Sequence, residues 1–145
     1  MKKWLPVLIL FVSLGCSNAD GERNPFLGEQ GFSFDINLNL PLYAPLTNDG
    51  GAVYIGGNTG IRGIFVINSG FGNFLAWEAS CPNHTPSSCS TMDIFGGTNV
   101  RCSCENFEYS LFNGALLNEP DNGTRVYPLL NYRVTRSGNN LRVFN

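Results

Sequence analysis

The sequence predicts an all-β domain of many short strands, and three observations carry that expectation. From residue 32, apolar Phe32, Phe34, Ile36, Leu38 and Leu40 alternate with polar Ser33, Asp35, Asn37 and Asn39. A strand sends successive side chains to opposite faces, so this is a half-buried strand with one wet face. Further along, short apolar runs are separated by Gly, Pro and Asn clusters, the punctuation of turns. After the first fifteen residues no segment has a helical period, and no internal repeat is present.

Taken in order, the first strand stops at Pro41 and Pro45, which cannot donate to a ladder. Asn48-Asp49-Gly50-Gly51 is a turn, and Ala52-Val53-Tyr54-Ile55 is a short strand. Gly56 to Gly63 is rich in glycine but lacks a Gly-Lys-Ser/Thr ending, which excludes a phosphate loop and leaves a flexible connection. Ile64 to Ile67 and Phe74 to Trp77 are two more apolar runs on either side of a Gly/Asn turn. Residues 81–104 are loop-rich, with one strand expected around Asn99 to Arg101. Tyr109 to Phe112, Asn113-Gly114 and Ala115 to Leu117 read as a hairpin with a type I′ turn. Glu119 to Gly123 is a further turn. Leu129 to Thr135 and Leu141 to Phe144 then pair across Ser137-Gly138-Asn139-Asn140 as a terminal hairpin.

The N-terminus has a different composition. Lys2 and Lys3 precede a mainly apolar stretch, Trp4 to Leu14, which is too short for a stable membrane span and has the form of a secretory leader. Ser13-Leu14-Gly15-Cys16 follows, and it resembles the lipobox of bacterial lipoproteins. The resemblance implies cleavage after residue 15 and acylation of Cys16. Loss of residues 1–15 leaves 130 of the 145 residues, enough for one domain with a real core. It also removes both lysines, leaving seven arginines against eleven acids, a net charge of −4. That balance argues against nucleic acid as a partner and supplies no basic patch for anionic lipid. Attachment to a lipid membrane would rest on the acyl chains, each buried CH₂ contributing about 0.8 kcal/mol. Residues 16–28 are polar and read as a flexible tether, and residues 29–145 as the domain.

Of the five cysteines, Cys81, Cys89, Cys102 and Cys104 remain after Cys16 is acylated. An even set in an exported chain serves either disulfides or a metal. Zinc is the weaker metal reading, because Cys102-Ser103-Cys104 is tighter than the usual zinc spacing. The four fall in two segments, Cys81-Pro-Asn-His-Thr-Pro-Ser-Ser-Cys89 and Cys102-Ser-Cys104-Glu-Asn-Phe-Glu-Tyr-Ser110. Together with the turns at Asn113-Gly114 and Glu119-Pro120, and the runs Gly63-Ile-Phe-Val, Phe74-Leu-Ala-Trp and Glu78-Ala-Ser-Cys81-Pro, they resemble the Rieske iron–sulfur family over most of residues 30–145.

That resemblance implies Rieske-like stacked antiparallel sheets with a disulfide-pinned loop subdomain. Family members hold a [2Fe–2S] cluster by two cysteines and two histidines. Cys81 and Cys102 fall at the cysteine positions, while Asn83 and Glu105 stand where the histidines belong. Phe107 replaces the family's serine. His84, one residue late, is the chain's only histidine, so the usual ligand set is excluded by composition. Cys89 and Cys104 match a bridging pair found in many members, closing a loop of about 15 residues worth roughly 3 kcal/mol. Cys81 and Cys102, brought together in the family by one iron, would in an oxidising compartment form a second disulfide.

The expectation is therefore an exported, membrane-anchored lipoprotein of the bacterial cell envelope, periplasmic or surface-facing, that has lost its cluster. It would act as a binding or structural module for a protein partner, with no metal or cofactor. The alternative is an electron-transfer protein whose [2Fe–2S] cluster takes His84 and Glu105 as atypical ligands. No catalytic constellation is recognised. A Cys81/His84 pair lacks an orienting group, Glu78, Glu105 and Glu108 read as solvated acids, and Cys102-Ser103-Cys104 lacks the helix terminus that activates exchange thiols.

Overall fold

The computed structural model describes residues 23–145. The leader over residues 1–15, the acylation site Cys16 and the first part of the tether lie outside the described residues. The described chain is nearly all-β. It contains β1 (Ser33–Asn37), a 3-10 helix (Pro41–Thr47), β2 (Ala52–Ile55), β3 (Ile64–Gly70), β4 (Asn73–Glu78), β5 (Asp93–Phe95), β6 (Asn99–Arg101), β7 (Glu108–Ser110), β8 (Asn131–Ser137) and β9 (Asn140–Phe144).

Six strands form one curled antiparallel sheet in the order β1-β9-β8-β4-β3-β2, and β5-β6-β7 form a small second sheet. The curl is made by β8. Asn131 and Tyr132 pair with Trp77 and Ala76 of β4, while Arg133 to Ser137 pair with β9. One strand thus closes the larger sheet over an apolar interior of Ile36, Val53, Ile64, Val66, Tyr132, Leu141 and Val143. β3 is buried on both faces. Ile64 and Val66 enter that interior, while Phe65 and Ile67 face a second cluster with Trp77, Met92, Val100, Tyr109 and the sulfurs of Cys81 and Cys102. A run apolar at every position is what a strand between two cores requires, and each fully buried large side chain contributes about 1.5–3 kcal/mol.

Several local expectations shift. In β1 the inward residues are Phe34 and Ile36, but pairing ends at Asn37, whose Oδ1 accepts from Asn39 N at 3.0 Å. Leu40 is consequently outside the strand and half exposed. The prolines do more than stop the strand. Pro41 begins a 3-10 helix that buries Tyr43 and Leu46, with Leu40 held extended before it. The Asn113-Gly114 hairpin is not type I′, which needs positive φ at both residues. Gly114 has φ 71 and Asn113 does not share it. Ser110 N bonds Ala115 O at 3.0 Å and Gly114 N bonds Ser110 O at 2.8 Å, so the turn spans residues 111–114. The expected return strand is reduced to a single bridge, Tyr109 to Leu116.

The tether expected to reach residue 28 ends earlier. Asn24 Oδ1 accepts from Phe26 N and Leu27 N at 2.8 and 3.1 Å, and its Nδ2 donates to Pro82 O at 2.7 Å. Leu27 is buried, and the Phe26 ring meets Tyr127 edge-on at 6.0 Å. Residues 24–27 are docked on the domain, beside the first cysteine loop.

Candidate functional site

Two loops face one another at one end of the second cluster. The first, residues 81–90, is closed at its base. Ser80 and Thr91 form a bridge pair, Cys81 N donates to Ser90 O at 2.7 Å, and Met92 N donates to Ala79 O at 2.9 Å. The second is the tip between β6 and β7. Arg101 and Glu108 pair across it, with Arg101 Nε 3.0 Å from Glu108 Oε1. Cys102 N donates to Phe107 O at 2.8 Å and Asn106 N to Cys102 O at 2.9 Å. Asn106 has φ 60, a left-handed conformation that asparagine tolerates better than most residues.

Two disulfides join the loops, Cys81–Cys102 and Cys89–Cys104, with Cα–Cα separations of 5.6 and 5.5 Å. These are the pairs that the resemblance implies. Their settings differ. Cys81 and Cys102 are fully buried, whereas Cys89 is exposed and Cys104 partly so.

His84 and Glu105 meet between the bridges. Glu105 Oε1 pairs with His84 Nδ1. His84 Nε2 lies 2.8 Å from Ser90 Oγ and 3.3 Å from Cys104 Sγ. Glu105 Oε2 is 2.8 Å from Cys102 Sγ, a sulfur with no proton to donate while it is bridged. The sulfurs of Cys81, Cys102 and Cys104, a His84 nitrogen and a Glu105 oxygen all lie within 4.8 Å of one another.

Asn83 is engaged elsewhere. Its Nδ2 donates to Tyr109 Oη at 2.6 Å and to Tyr127 O at 3.1 Å, and its Oδ1 accepts from Tyr127 N at 2.6 Å. The amide matches both backbone groups of Tyr127 and clips the first loop to the segment before β8. Tyr109 is buried, and burial pushes its phenol well above the ordinary range. The Asn83 amide opposes that shift and the nearby Glu105 charge adds to it.

No family model matches the chain. No curated protein matches it either.

The donor set does not fit a two-iron cluster as it is bonded. The sulfurs of Cys81 and Cys102 are bonded to each other and offer no thiolate, and ligation requires the deprotonated sulfur. The Asn83 amide is spent on Tyr109 and Tyr127, and a single imidazole remains. Cys104 is likewise closed to zinc by its bridge.

One acid plays a structural part that the sequence did not show. Glu78, expected as a solvated acid, is fully buried at the entry to the first loop. Its Oε1 accepts from Arg62 N at 2.9 Å and Ser80 N at 2.8 Å, and its Oε2 from Ile61 N at 2.7 Å and Tyr132 Oη at 2.6 Å. Four donors converge on one carboxylate, which is how a buried charge is retained. Tyr132 is itself pushed far above its ordinary pKa, first by burial and then by its bond to Glu78. The glycine-rich segment before β3 is therefore a clamped loop rather than a flexible connection. Thr59 Oγ1 also ties it, donating to Ile55 O or Gly56 O at 3.1 and 3.0 Å. Gly60 has φ 62, and a Cβ there would stand 2.4 Å from Glu78 Oε2. Arg62 continues from the clamp to the cysteine loop, its Nη2 donating to Ser87 O at 2.7 Å.

Proposed function

We propose that this chain is an envelope lipoprotein, held to a bacterial membrane by acylated Cys16, whose Rieske-like domain works without an iron–sulfur cluster. It serves as a binding or structural module, offering the paired loops around Cys81 to Cys104 to a protein partner. The observation that carries the reading is the chemistry at the former ligand positions. Cys81 and Cys102 are bonded to each other, and Asn83 is a clip between Tyr109 and Tyr127. The bridges hold the two loops in the fixed relation that a metal would otherwise impose. Among the described residues no helix is long and apolar enough to cross a membrane.

Intact mass and thiol counting on the native protein test the site. The expected result is four domain cysteines oxidised, no iron and no acid-labile sulfide. Two irons per chain with Cys81 and Cys102 reduced would overturn the reading and favour electron transfer, the alternative to which the five clustered donors give some support. The anchor has its own test. Cys16→Ser should move the protein from the membrane to the soluble fraction, and an unchanged membrane fraction would refute acylation as the attachment.

A further inference from the structure

The two bridges are not chemically equivalent. Cys81–Cys102 is fully buried, with apolar neighbours and the Glu105 carboxylate 2.8 Å from Cys102 Sγ, and no solvent path to either residue is open. Cys89–Cys104 is surrounded by groups that handle protons. His84 Nε2 is 3.3 Å from Cys104 Sγ, and Glu105 holds the far nitrogen of the ring. Ser87 Oγ lies 3.4 Å from Cys89 Sγ. Cys89 is also the one exposed residue of the four bridged cysteines.

We propose that Cys89–Cys104 is a thiol-exchange site, opened in the folded protein by an external dithiol. The thiolate of the dithiol attacks Cys89 Sγ, on the exposed residue of the pair. The S–S bond breaks and its electron pair departs on Cys104 Sγ. His84 Nε2, 3.3 Å from that sulfur, is placed to give it a proton or to pair with the thiolate. The second thiol of the same dithiol then displaces Cys89 from the mixed disulfide. The reductant leaves as its own disulfide, and Cys89 and Cys104 remain as thiols. Two electrons and two protons have passed from the dithiol to the bridge. Exchange is faster when the leaving sulfur is the better thiolate and the attacked sulfur is accessible, and a neighbouring imidazolium improves a thiolate. The attacked and leaving sulfurs are thus assigned, Cys89 by exposure and Cys104 by its imidazole.

Glu105 is a positioning residue. Its carboxylate holds Nδ1 and so aims Nε2 at Cys104. Ser90 Oγ, 2.8 Å from Nε2, keeps the ring in place while the bridge is closed. The step needs neither the Cys16 anchor nor a docked protein, and so it stands apart from the module reading. Its chemistry does not open Cys81–Cys102, which keeps the loops together throughout.

The test uses the full chain in detergent under native conditions. It is exposed to dithiothreitol, samples are quenched by alkylation, and each cysteine is followed by peptide mass. Cys89 and Cys104 should become alkylated together, at least tenfold faster than Cys81 and Cys102. His84→Gln should slow that opening at least tenfold, and Glu105→Gln should slow it less. The direction is the discriminating readout. If His84 merely packed the loop, its loss would loosen the loop and speed opening. The proposal is overturned if Cys89–Cys104 opens no faster than the buried bridge, or if His84→Gln leaves its rate unchanged or raises it. Glu105→Gln gives the second variant should the histidine variant fold poorly, and an unchanged or raised rate there removes the positioning role.

Discussion

Replacing Glu78 by glutamine should destabilise the domain by about 2–4 kcal/mol, although the two side chains are nearly isosteric. The estimate follows from counting acceptors. Oε1 serves two backbone amides, those of Arg62 and Ser80, while Oε2 serves the Ile61 amide and the Tyr132 hydroxyl. A glutamine has one oxygen and one NH₂. With its NH₂ at the Oε1 position it would set two backbone amides against donors. With its NH₂ at the Oε2 position only the Ile61 amide is orphaned, since the Tyr132 hydroxyl can rotate and accept. The second arrangement wins, and its cost is one buried amide without a partner, about 1–3 kcal/mol, plus the lost charge on the remaining bonds. Glu78→Ala orphans all three amides at about 3–9 kcal/mol, comparable to the ~5–15 kcal/mol that holds a typical domain folded. Urea unfolding with the bridges intact measures both, and in Glu78→Gln amide exchange should quicken at Ile61 more than at Ser80. A loss below about 0.5 kcal/mol for Glu78→Gln, the range of an ordinary surface substitution, would refute the clamp.

Three further outcomes are expected. Alkali should unfold the protein through Tyr109 and Tyr132. Both phenols are raised in the folded state, so stability is intact below the ordinary tyrosine value of about 10 and falls as pH rises beyond it, by up to about 1.4 kcal/mol per pH unit for each. Urea midpoints between pH 9 and 11.5 give the slope, and Tyr132→Phe should flatten it. Gly114→Ala should lower the melting temperature sharply, since a Cβ would stand 2.6 Å from the Trp77 ring at a φ of 71. An unchanged melting temperature would contradict that packing. Removing either bridge as a cysteine-to-alanine pair should cost about 3 kcal/mol from loop entropy. Removing both should cost more than the two single losses added, because each single variant keeps the other bridge, which already shortens the path the missing one would close, and denaturant midpoints of the three variants check it.

What the sequence makes legible depends on how local the cause is. β2 falls where a short apolar run ends in Gly, and β3 announces its two buried faces by an unbroken apolar run from Ile64 to Ile67. β5 leaves no such trace. Its three residues are all exposed, Asp93, Ile94 and Phe95, and it exists because β6 lies beside it. The 3-10 helix is hidden by its own prolines, which read as a stop until Tyr43 and Leu46 find the core. The cysteine pairs were legible through the resemblance and not through spacing. The His84–Glu105 contact bridges 21 residues and required the loops to be closed first. Glu78 was illegible for the same reason, since three of its four donors arrive from residues 61, 62 and 132, and an acid beside a strand gives no sign of them.

The order of the bridged cysteines, 81 with 102 and 89 with 104, has a covalent consequence apart from stability. The two links cross. A backbone cut between 81 and 89 leaves the fragments joined through Cys81–Cys102. A cut between 89 and 102 leaves them joined twice, and one between 102 and 104 leaves them joined through Cys89–Cys104. No single proteolytic nick anywhere from residue 81 to residue 104 can divide the molecule. The two cysteine loops are therefore a segment along which the chain can be severed without coming apart.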